Sequence, residues 1–397
     1  MITRTVYEYQ TVRVQPHGIL TKAQLTALRH YHHTVDDRLY RMVDRGIQFQ
    51  QYVGVLAVGG LRFEVLPKVG REQEAADLWR ERLLDLLDYC GDLPRERTAT
   101  ATGAAQPGDL PLRVYTYYRQ QLSTVLQHDL LARRYRSCDV ASPALTGRLR
   151  LAEQLRRPPP RPDFLVSRSA YSYDTCANAY LQTALRVAIN RSGLHPIHHS
   201  LRRLLQEFPH VTETARPPMY TKLGRYAPPY RAALRTAQLI LAGHQPSTRQ
   251  GGEQLPTALM FDMNRLWERF VGRLALELFR RVEVQTSRPF WQHAAGTVQL
   301  RPDVIVHGRG QQLILDAKWK VPRPGRASGA DLRQLYVYAR EFGAHRVALV
   351  FPGAHARVVG HFTRDAVKGE LLYLPLGGPT DQWLADCRQK LVDWCSE

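Results

Sequence analysis

The sequence predicts a multidomain protein of mixed α+β and α/β class, and three features indicate this. Near the N-terminus, short runs with strand-like alternation surround a turn at Gly59 and Gly60. The middle of the chain has the three- and four-residue spacing of helices, and helix and strand patterns alternate in the last third. At 397 residues, the chain is long enough for two or three domains that each bury a core.

Strand patterns dominate the N-terminal part. Residues 5–9 and 11–14 alternate as strands do, and residues 54–66 form a hairpin pattern around the two glycines. In residues 75–89, leucines and a tryptophan fall on one face, which predicts an amphipathic helix. We therefore expect a β-rich N-terminal domain that ends in a helix.

Small and polar residues fill positions 97–108, with Gly and Pro near the end, which is typical of a linker. Beyond this segment, the pattern is mostly helical up to about Leu241. The boundaries that we predict are 1–95 for the β-rich N-terminal domain, 96–110 for the linker, 111–252 for a mainly helical, basic middle region, and 253–397 for a C-terminal domain with a mixed central sheet flanked by helices.

The chain is strongly basic, with 55 Lys and Arg against 36 Asp and Glu and a formal charge of +19. Basic surfaces gain affinity for phosphates by releasing counterions, so we expect a nucleic acid partner. No apolar run approaches the length of a membrane span, and the first residues lack the apolar core of a signal peptide. The five cysteines are odd in number and lack a C-x-x-C pair, which favours a reducing cytoplasm over a zinc site or a disulfide framework.

Arginines next to tyrosine are concentrated in the middle region, a combination that suits phosphate contacts and stacking. A solvated helix and loop surface explains the same pattern equally well. The candidate DNA-binding residues are Arg133, Arg134, Arg136, Arg148, Arg150 and, in the C-terminal domain, Lys320.

Two acids and a lysine form the candidate catalytic site. Asp303 begins one apolar run and Asp316 ends another, and a glycine-bearing segment lies between them, which predicts a β-hairpin. Asp316 and Lys318 share one face of their strand because side chains alternate, and the neighbouring strand brings Asp303 to them. The three groups match a Mg²⁺ site, in which Asp303, Asp316 and the Ala317 carbonyl hold the metal and Lys318 activates water. A surface hairpin with solvated charges is the alternative.

The elements around this hairpin strengthen the metal hypothesis. A helix pattern upstream carries Glu268, and a helix pattern downstream carries Gln334 and Tyr338 one turn apart. A buried strand pattern follows at residues 346–352. This order of helix, hairpin, D-x-K strand, Q-x-x-x-Y helix and strand resembles the PD-(D/E)xK nuclease superfamily. Glu268 and Gln334 are the supporting site residues that the resemblance implies.

A closer resemblance is to the McrC subunit of McrBC modified-cytosine restriction systems. It depends on Arg301-Pro302-Asp303, on Asp316-Ala317-Lys318-Trp319-Lys320, and on Gln334 with Tyr338, and earlier segments are similar in the same order. Those earlier segments are residues 63–68, 145–149 and 173–178.

The McrC resemblance implies a Mg²⁺-dependent DNA endonuclease subunit of an antiphage defence system. The chain lacks a G-x-x-x-x-G-K-[ST] motif, so GTP would be bound and hydrolysed by a McrB-like AAA+ partner, which this chain would stimulate. The resemblance further implies that the partner recognises the modified base in double-stranded DNA and that the nuclease region self-associates. The alternatives are a RecB-like or stand-alone PD-(D/E)xK nuclease and a non-catalytic DNA-binding adaptor with a nuclease fold.

Overall fold

A computed structural model shows the fold. It describes residues 2–15, 19–34, 36–68, 76–91, 93, 110–158, 162–193, 195–212, 214–216, 226–241, 257–294, 296–308, 311–320, 322, 325–365 and 367–396. Within these ranges there are ten helices and eighteen strands, so the predicted mixed α/β class is confirmed. Apart from Leu110, the predicted linker at 96–110 lies outside the described residues.

The chain divides into two compact units. The first contains the described residues of Met1–Ala101 and Pro246–Glu397, and the second contains those of Asp109–Gln245. The second unit is close in extent to the predicted middle region. The predicted N-terminal and C-terminal domains both lie in the first unit.

The first unit begins with a β-rich part, in agreement with the sequence pattern. Its elements are β1 (Ile2–Tyr7), β2 (Thr11–Arg13), α1 (Lys22–Thr34), β3 (Tyr40–Val43), β4 (Gly46–Phe49), β5 (Tyr52–Val58), β6 (Leu61–Leu66) and α2 (Ala76–Tyr89). Strands β5 and β6 form the hairpin predicted at Gly59 and Gly60. Leu28 and Tyr31 of α1 belong to the same buried apolar cluster as Leu56 of β5.

The C-terminal part of the first unit has the following elements: β10 (Thr257–Asp262), α8 (Met263–Leu278), β11 (Val282–Val284), β12 (Arg288–His293), β13 (Gly296–Leu300), β14 (Val304–His307), β15 (Gln312–Ala317), α9 (Gly329–Phe342), β16 (Arg346–Pro352), β17 (Val358–His361), β18 (Lys368–Leu374) and α10 (Thr380–Ser396). Strand β10 pairs antiparallel with β5 and completes a four-stranded sheet in the order β1-β6-β5-β10. The C-terminal part therefore begins as an edge strand of the N-terminal sheet.

A six-stranded mixed sheet carries the candidate site. Its order is β11-β14-β15-β16-β18-β17, with β15, β16 and β18 parallel and the hairpin β14–β15 antiparallel. Ile314 of β15 belongs to one buried cluster with Leu335 of α9. Trp267 of α8 is also buried, and its Nε1 donates a hydrogen bond to the Val350 carbonyl at 3.0 Å. Both helices thus contact the sheet, as the sequence predicts.

The second unit combines helices with a three-stranded antiparallel sheet in the order β7-β9-β8. Its elements are α3 (Leu110–Gln127), β7 (Arg134–Ser142), β8 (Arg148–Leu149), α4 (Leu151–Gln154), β9 (Phe164–Ser172), α5 (Cys176–Ser192), α6 (Ile197–Glu207) and α7 (Pro228–Leu241). The prediction of a mainly helical region is wrong for the strands β7 and β9. Residues of β7 are exposed or half-buried throughout, so the strand lacks the apolar alternation that would have revealed it.

Asn178 connects this sheet to the helices of the second unit. Its amide nitrogen donates to the carbonyls of Tyr173, at 2.6 Å, and Ala132, at 2.8 Å. Its amide oxygen accepts from the Tyr230 hydroxyl at 2.6 Å. The side chain of Thr175 caps α5 by accepting from the Asn178 N–H. The segment at 173–178 therefore has a structural role.

None of the helices in the described part of the chain is both long and apolar enough to cross a lipid bilayer.

Candidate active site

Strand pairing brings Asp303 and Asp316 together. Asp303 lies immediately before β14, and β14 pairs with β15 so that Val304 is opposite Leu315. The Asp303 Oδ2 accepts a hydrogen bond from the Ala317 N–H at 2.8 Å, one residue beyond Asp316. The hairpin geometry predicted from the two apolar runs is confirmed.

Asp316 and Lys318 form an ion pair, with 2.6 Å between Lys318 Nζ and Asp316 Oδ2. Asp316 is only 2% exposed, so the alternative of a solvated hairpin is wrong for this residue. Burial alone would lower the pKa of Lys318, but the Asp316 carboxylate outweighs it and the pKa is raised. Lys318 is therefore a charged ammonium group at neutral pH.

Three acids share this partly desolvated space. Burial raises the pKa of Asp303 to about 7, and the charges of Asp316 and Glu268 contribute. Burial also raises the pKa of Glu268 and of Asp316, and Lys318 opposes both shifts. Glu268 on α8 is thus close enough to interact with the hairpin. The site concentrates negative charge that a cation would stabilise.

Gln334 holds the catalytic lysine candidate in place. Its Oε1 accepts from Lys318 Nζ at 3.1 Å, and its Nε2 donates to the Tyr338 hydroxyl at 2.8 Å. That hydroxyl donates to the Arg301 carbonyl at 3.2 Å. Helix α9 supplies Gln334 and Tyr338 one turn apart, so one face of the helix connects Lys318 by hydrogen bonds to Arg301, two residues before Asp303.

Gln285 is a site residue that sequence reasoning missed. Its N–H donates to the Asp303 carbonyl at 2.9 Å, and its Nε2 donates to Glu268 Oε2 at 3.3 Å. Its Oε1 accepts from the Arg301 guanidinium. The backbone of Gln285 has φ of 52°, in the left-handed region, and nothing in a sequence pattern reveals such a conformation.

The donor set fits a hard divalent cation. Mg²⁺ is typically held by one or two carboxylates and keeps several waters, and Asp303 and Asp316 are two carboxylates with raised pKa values. Among the described residues, no group of three or more His, Cys, Asp or Glu side chains is arranged to hold a metal. The chemistry of the predicted pair therefore suits Mg²⁺, whereas a structural zinc site would need four ligands.

A family model described as "McrBC 5-methylcytosine restriction system component" matches residues 47–352, which is more than half of the chain. The chain belongs to this family. No curated protein matches this chain significantly.

Two solved structures resemble this McrBC-family chain. A chain of the refined half-complex from the tetradecameric assembly of Thermococcus gammatolerans McrB AAA+ hexamers with bound McrC has a TM-score of 0.66 and 19% identity, and the match covers 99% of this chain and 100% of that chain. A chain of the cryo-EM structure of the Thermococcus gammatolerans McrBC complex has a TM-score of 0.49 and 19% identity, with 71% and 90% covered. The first match shows a shared fold.

The candidate DNA-binding arginines lie in the second unit, at or next to the sheet formed by β7, β8 and β9. Three of them interact with acids: Arg133 with Asp129, Arg136 with Asp174, and Arg150 with Asp139 and Glu153. Part of their charge is therefore compensated within the protein. Arg134 and Arg148 are exposed.

Lys320 lies in the first unit, near the candidate site. Its Nζ donates to both carboxylate oxygens of Asp331, at 2.9 and 2.8 Å. The side chain remains about half exposed, so it has access to solvent despite the ion pair.

Buried hydrogen bonds connect the N-terminal part of the chain to the segment after Lys318, and no sequence pattern indicates them. The Trp319 Nε1 donates to Glu8 Oε2 at 2.9 Å and to Oε1 at 3.2 Å, and the Lys68 N–H donates to Glu8 Oε2 at 3.0 Å. Glu8 is 1% exposed, and burial raises its pKa to about 7. Trp319 follows Lys318 directly, so the N-terminal part of the chain helps to position the segment at the end of β15 that carries Lys318.

Proposed function

We propose that this chain is the Mg²⁺-dependent DNA endonuclease subunit of a McrBC-like modification-dependent restriction system. Its nuclease domain, of the PD-(D/E)xK type, extends over residues 253–397. The observation that carries the proposal is the meeting of Asp303, Asp316 and Lys318 where β14 begins and β15 ends, inside the mixed sheet. A non-catalytic adaptor would have no need for a buried acid paired with a lysine beside a second acid.

Each group has a role in phosphodiester hydrolysis. Asp303, Asp316 and the Ala317 carbonyl would hold Mg²⁺, and the bound ion would supply Lewis-acid chemistry for phosphodiester hydrolysis. The Lys318 ammonium orients the attacking water and stabilises negative charge that develops on the phosphate. Gln334 holds Lys318 in position, and Glu268 supports the site from α8 through Gln285.

The partner is a McrB-like AAA+ ring that binds and hydrolyses GTP. Family membership and the fold shared with a chain of the McrB and McrC half-complex support this assignment. The N-terminal part, residues 1–95, engages the ring in this proposal and stimulates its GTPase. Recognition of the modified cytosine resides in the partner. The chain has 55 basic and 36 acidic residues, and this excess of positive charge favours double-stranded DNA as its substrate.

The test combines the purified chain with its AAA+ partner, GTP, Mg²⁺ and duplex DNA containing 5-methylcytosine. We expect Asp316→Asn and Lys318→Ala each to lower the cleavage rate by at least about a hundredfold, since each removes a preorganised charge. GTP hydrolysis and binding to the partner should stay at the wild-type level. Lys368→Ala is the matched control, because Lys368 is exposed at the start of β18.

Loss of cleavage, GTP hydrolysis and partner binding together would show that Asp316 and Lys318 are structural. Cleavage by the chain alone, without partner or GTP, would indicate a stand-alone nuclease. Cleavage at the wild-type rate by both variants would show that Asp316 and Lys318 are not part of the nuclease active site.

A further inference from the structure

Strands β12 and β13 of the first unit pair only with each other among the described strands and form a two-stranded ribbon. Every residue of β12 is exposed, and in β13 only Leu300 is half-buried. The ribbon nevertheless carries large apolar side chains, with Phe290 48%, Trp291 58% and Val298 45% exposed. Apolar side chains of this size and exposure on a ribbon indicate a binding surface.

The base of the ribbon belongs to the candidate active site. The chain leaves the site at Gln285 and returns at Asp303, and the Gln285 N–H donates to the Asp303 carbonyl at 2.9 Å. Arg301, at the end of the ribbon, binds both the side chain and the carbonyl of Gln285. Five or six residues per strand extend about 20 Å, at roughly 3.3 Å per residue. Any substrate held at Asp303 therefore lies beside this ribbon.

Aromatic and apolar groups share one face of the ribbon. Trp291 is opposite Val298 in the register, and the rings of Trp291 and His293 stack with centroids 4.7 Å apart. A β-bulge at Phe290 interrupts the pairing between Pro289 and Trp291. The exposed face is thus a row of side chains along one side of the ribbon.

The charge of the ribbon identifies the class of partner. Residues 286–302 contain no Asp or Glu, although they include Arg288, His293 and Arg301. The Arg288 guanidinium lies 4.4 Å from the Phe342 ring, at the base of the ribbon. A surface without acids, with arginines at its base and aromatic groups along it, complements a polyanion that exposes apolar groups in a groove, and duplex DNA, with its phosphates and thymine methyl groups, is such a partner.

We propose that the β12–β13 ribbon enters the major groove of duplex DNA next to the phosphodiester held at the candidate active site. This inference rests on the proposed nuclease function. The major groove is about 12 Å wide and admits a two-stranded ribbon. Arg288 and Arg301 contact phosphates, and Trp291 and Val298 contact base edges and methyl groups. The ribbon then sets the position of the duplex relative to Asp303 and Asp316.

The test measures binding of a labelled duplex oligonucleotide by fluorescence anisotropy. All proteins carry Asp316→Asn in the full-length chain, so that binding is observed without cleavage. We expect the double variant Trp291→Ala, Val298→Ser to weaken duplex binding about tenfold, because two contacts to base edges and methyl groups are lost. The matched control is Val359→Ser, because Val359 is also about half exposed, 49%, and lies at the opposite edge of the mixed sheet.

A second variant, Gln292→Glu, changes charge without changing shape. It should weaken duplex binding several-fold, and the effect should shrink as salt is raised. Equal affinity of wild type and both ribbon variants would overturn the inference. If the ribbon variants kept the wild-type affinity for DNA but had a lower molecular mass than the wild type in light scattering, the inference would be overturned and the ribbon would be a self-association surface.

The binding assay separates this inference from the proposed function. A chain that cleaves DNA but binds it independently of the ribbon contradicts only the inference. A chain that binds DNA through the ribbon but never cleaves it contradicts only the nuclease assignment.

Discussion

Two almost completely buried acids, Asp316 and Glu8, lie on either side of the Lys318-Trp319 segment. Asp316 pairs with the Lys318 ammonium, whereas Glu8 accepts hydrogen bonds from the Trp319 ring and the Lys68 N–H. Burial raises the pKa of both acids. At the scale of residues, the strand end is therefore held from one side by the catalytic candidates and from the other by the N-terminal part of the chain.

The raised pKa of Glu8 predicts a dependence of stability on pH. Its folded-state pKa is about 7, above the ordinary value of 4.5, so the folded state binds more protons than the unfolded state between these values. The free energy of unfolding should therefore fall as the pH rises from 5 to 8, by up to about 3 kcal/mol from this group. Glu8→Gln should lose this component of the pH dependence. Urea unfolding of both proteins at four pH values measures it, and parallel curves would contradict the prediction.

At the scale of elements, the contact between β5 and β10 joins the N-terminal sheet to the part that carries the site. Gly54 of β5 has φ of 132°, and a Cβ at this position would lie 2.1 Å from the Leu259 carbonyl oxygen. Only glycine allows the two strands to approach in this way. The Asp262 side chain, at the end of β10, then caps α8, the helix that carries Glu268.

Gly54→Ala should consequently destabilise the protein by about 3 kcal/mol or more, because the backbone of β10 must move and a left-handed conformation must hold an alanine. The control is Gly308→Ala, where the nearest atom to the new Cβ is 3.7 Å away and φ is not in the left-handed region. Thermal unfolding of the two variants makes the comparison. Equal midpoints would show that the two strands separate easily.

At the scale of the whole molecule, the formal charge of +19 overstates the positive charge that is available to DNA. Arg150 interacts with Asp139 and Glu153, whereas no acidic partner of Arg148 lies among the described residues. A cation that already has acidic partners releases fewer counterions when a phosphate approaches. The distribution of acids, and not the arginine count, thus determines which residues of the second unit contribute to affinity.

We therefore predict that Arg148→Gln weakens duplex binding more than Arg150→Gln does. Arg148→Gln should also reduce the slope of log affinity against log salt by about 1, the value expected for one phosphate contact. Anisotropy titrations at several salt concentrations measure the slope. If both variants behaved like the wild type, the solvated-surface interpretation of these arginines would be favoured.

Local patterns in the sequence were sufficient to predict the secondary-structure elements that form the site. The two apolar runs around Asp303 and Asp316 predict a hairpin because only a short glycine-bearing segment separates them, and such a segment forms a turn. Helical spacing likewise places Gln334 and Tyr338 on one face of α9. The sequence patterns did not predict strands β7 and β12, because exposed strands lack the alternation of buried and exposed residues on which such predictions depend.

The sequence by itself determined the family resemblance, the mixed α/β class and the meeting of Asp303, Asp316 and Lys318, because these depend on motifs and on short-range periodicity. Only the tertiary structure decided that Glu8 binds Trp319, 311 residues away, and that Gln285 connects Glu268 to Asp303. A hydrogen bond between residues far apart in the chain leaves no period or spacing in the sequence. It forms because the fold buries the two polar groups together, where each must find a partner.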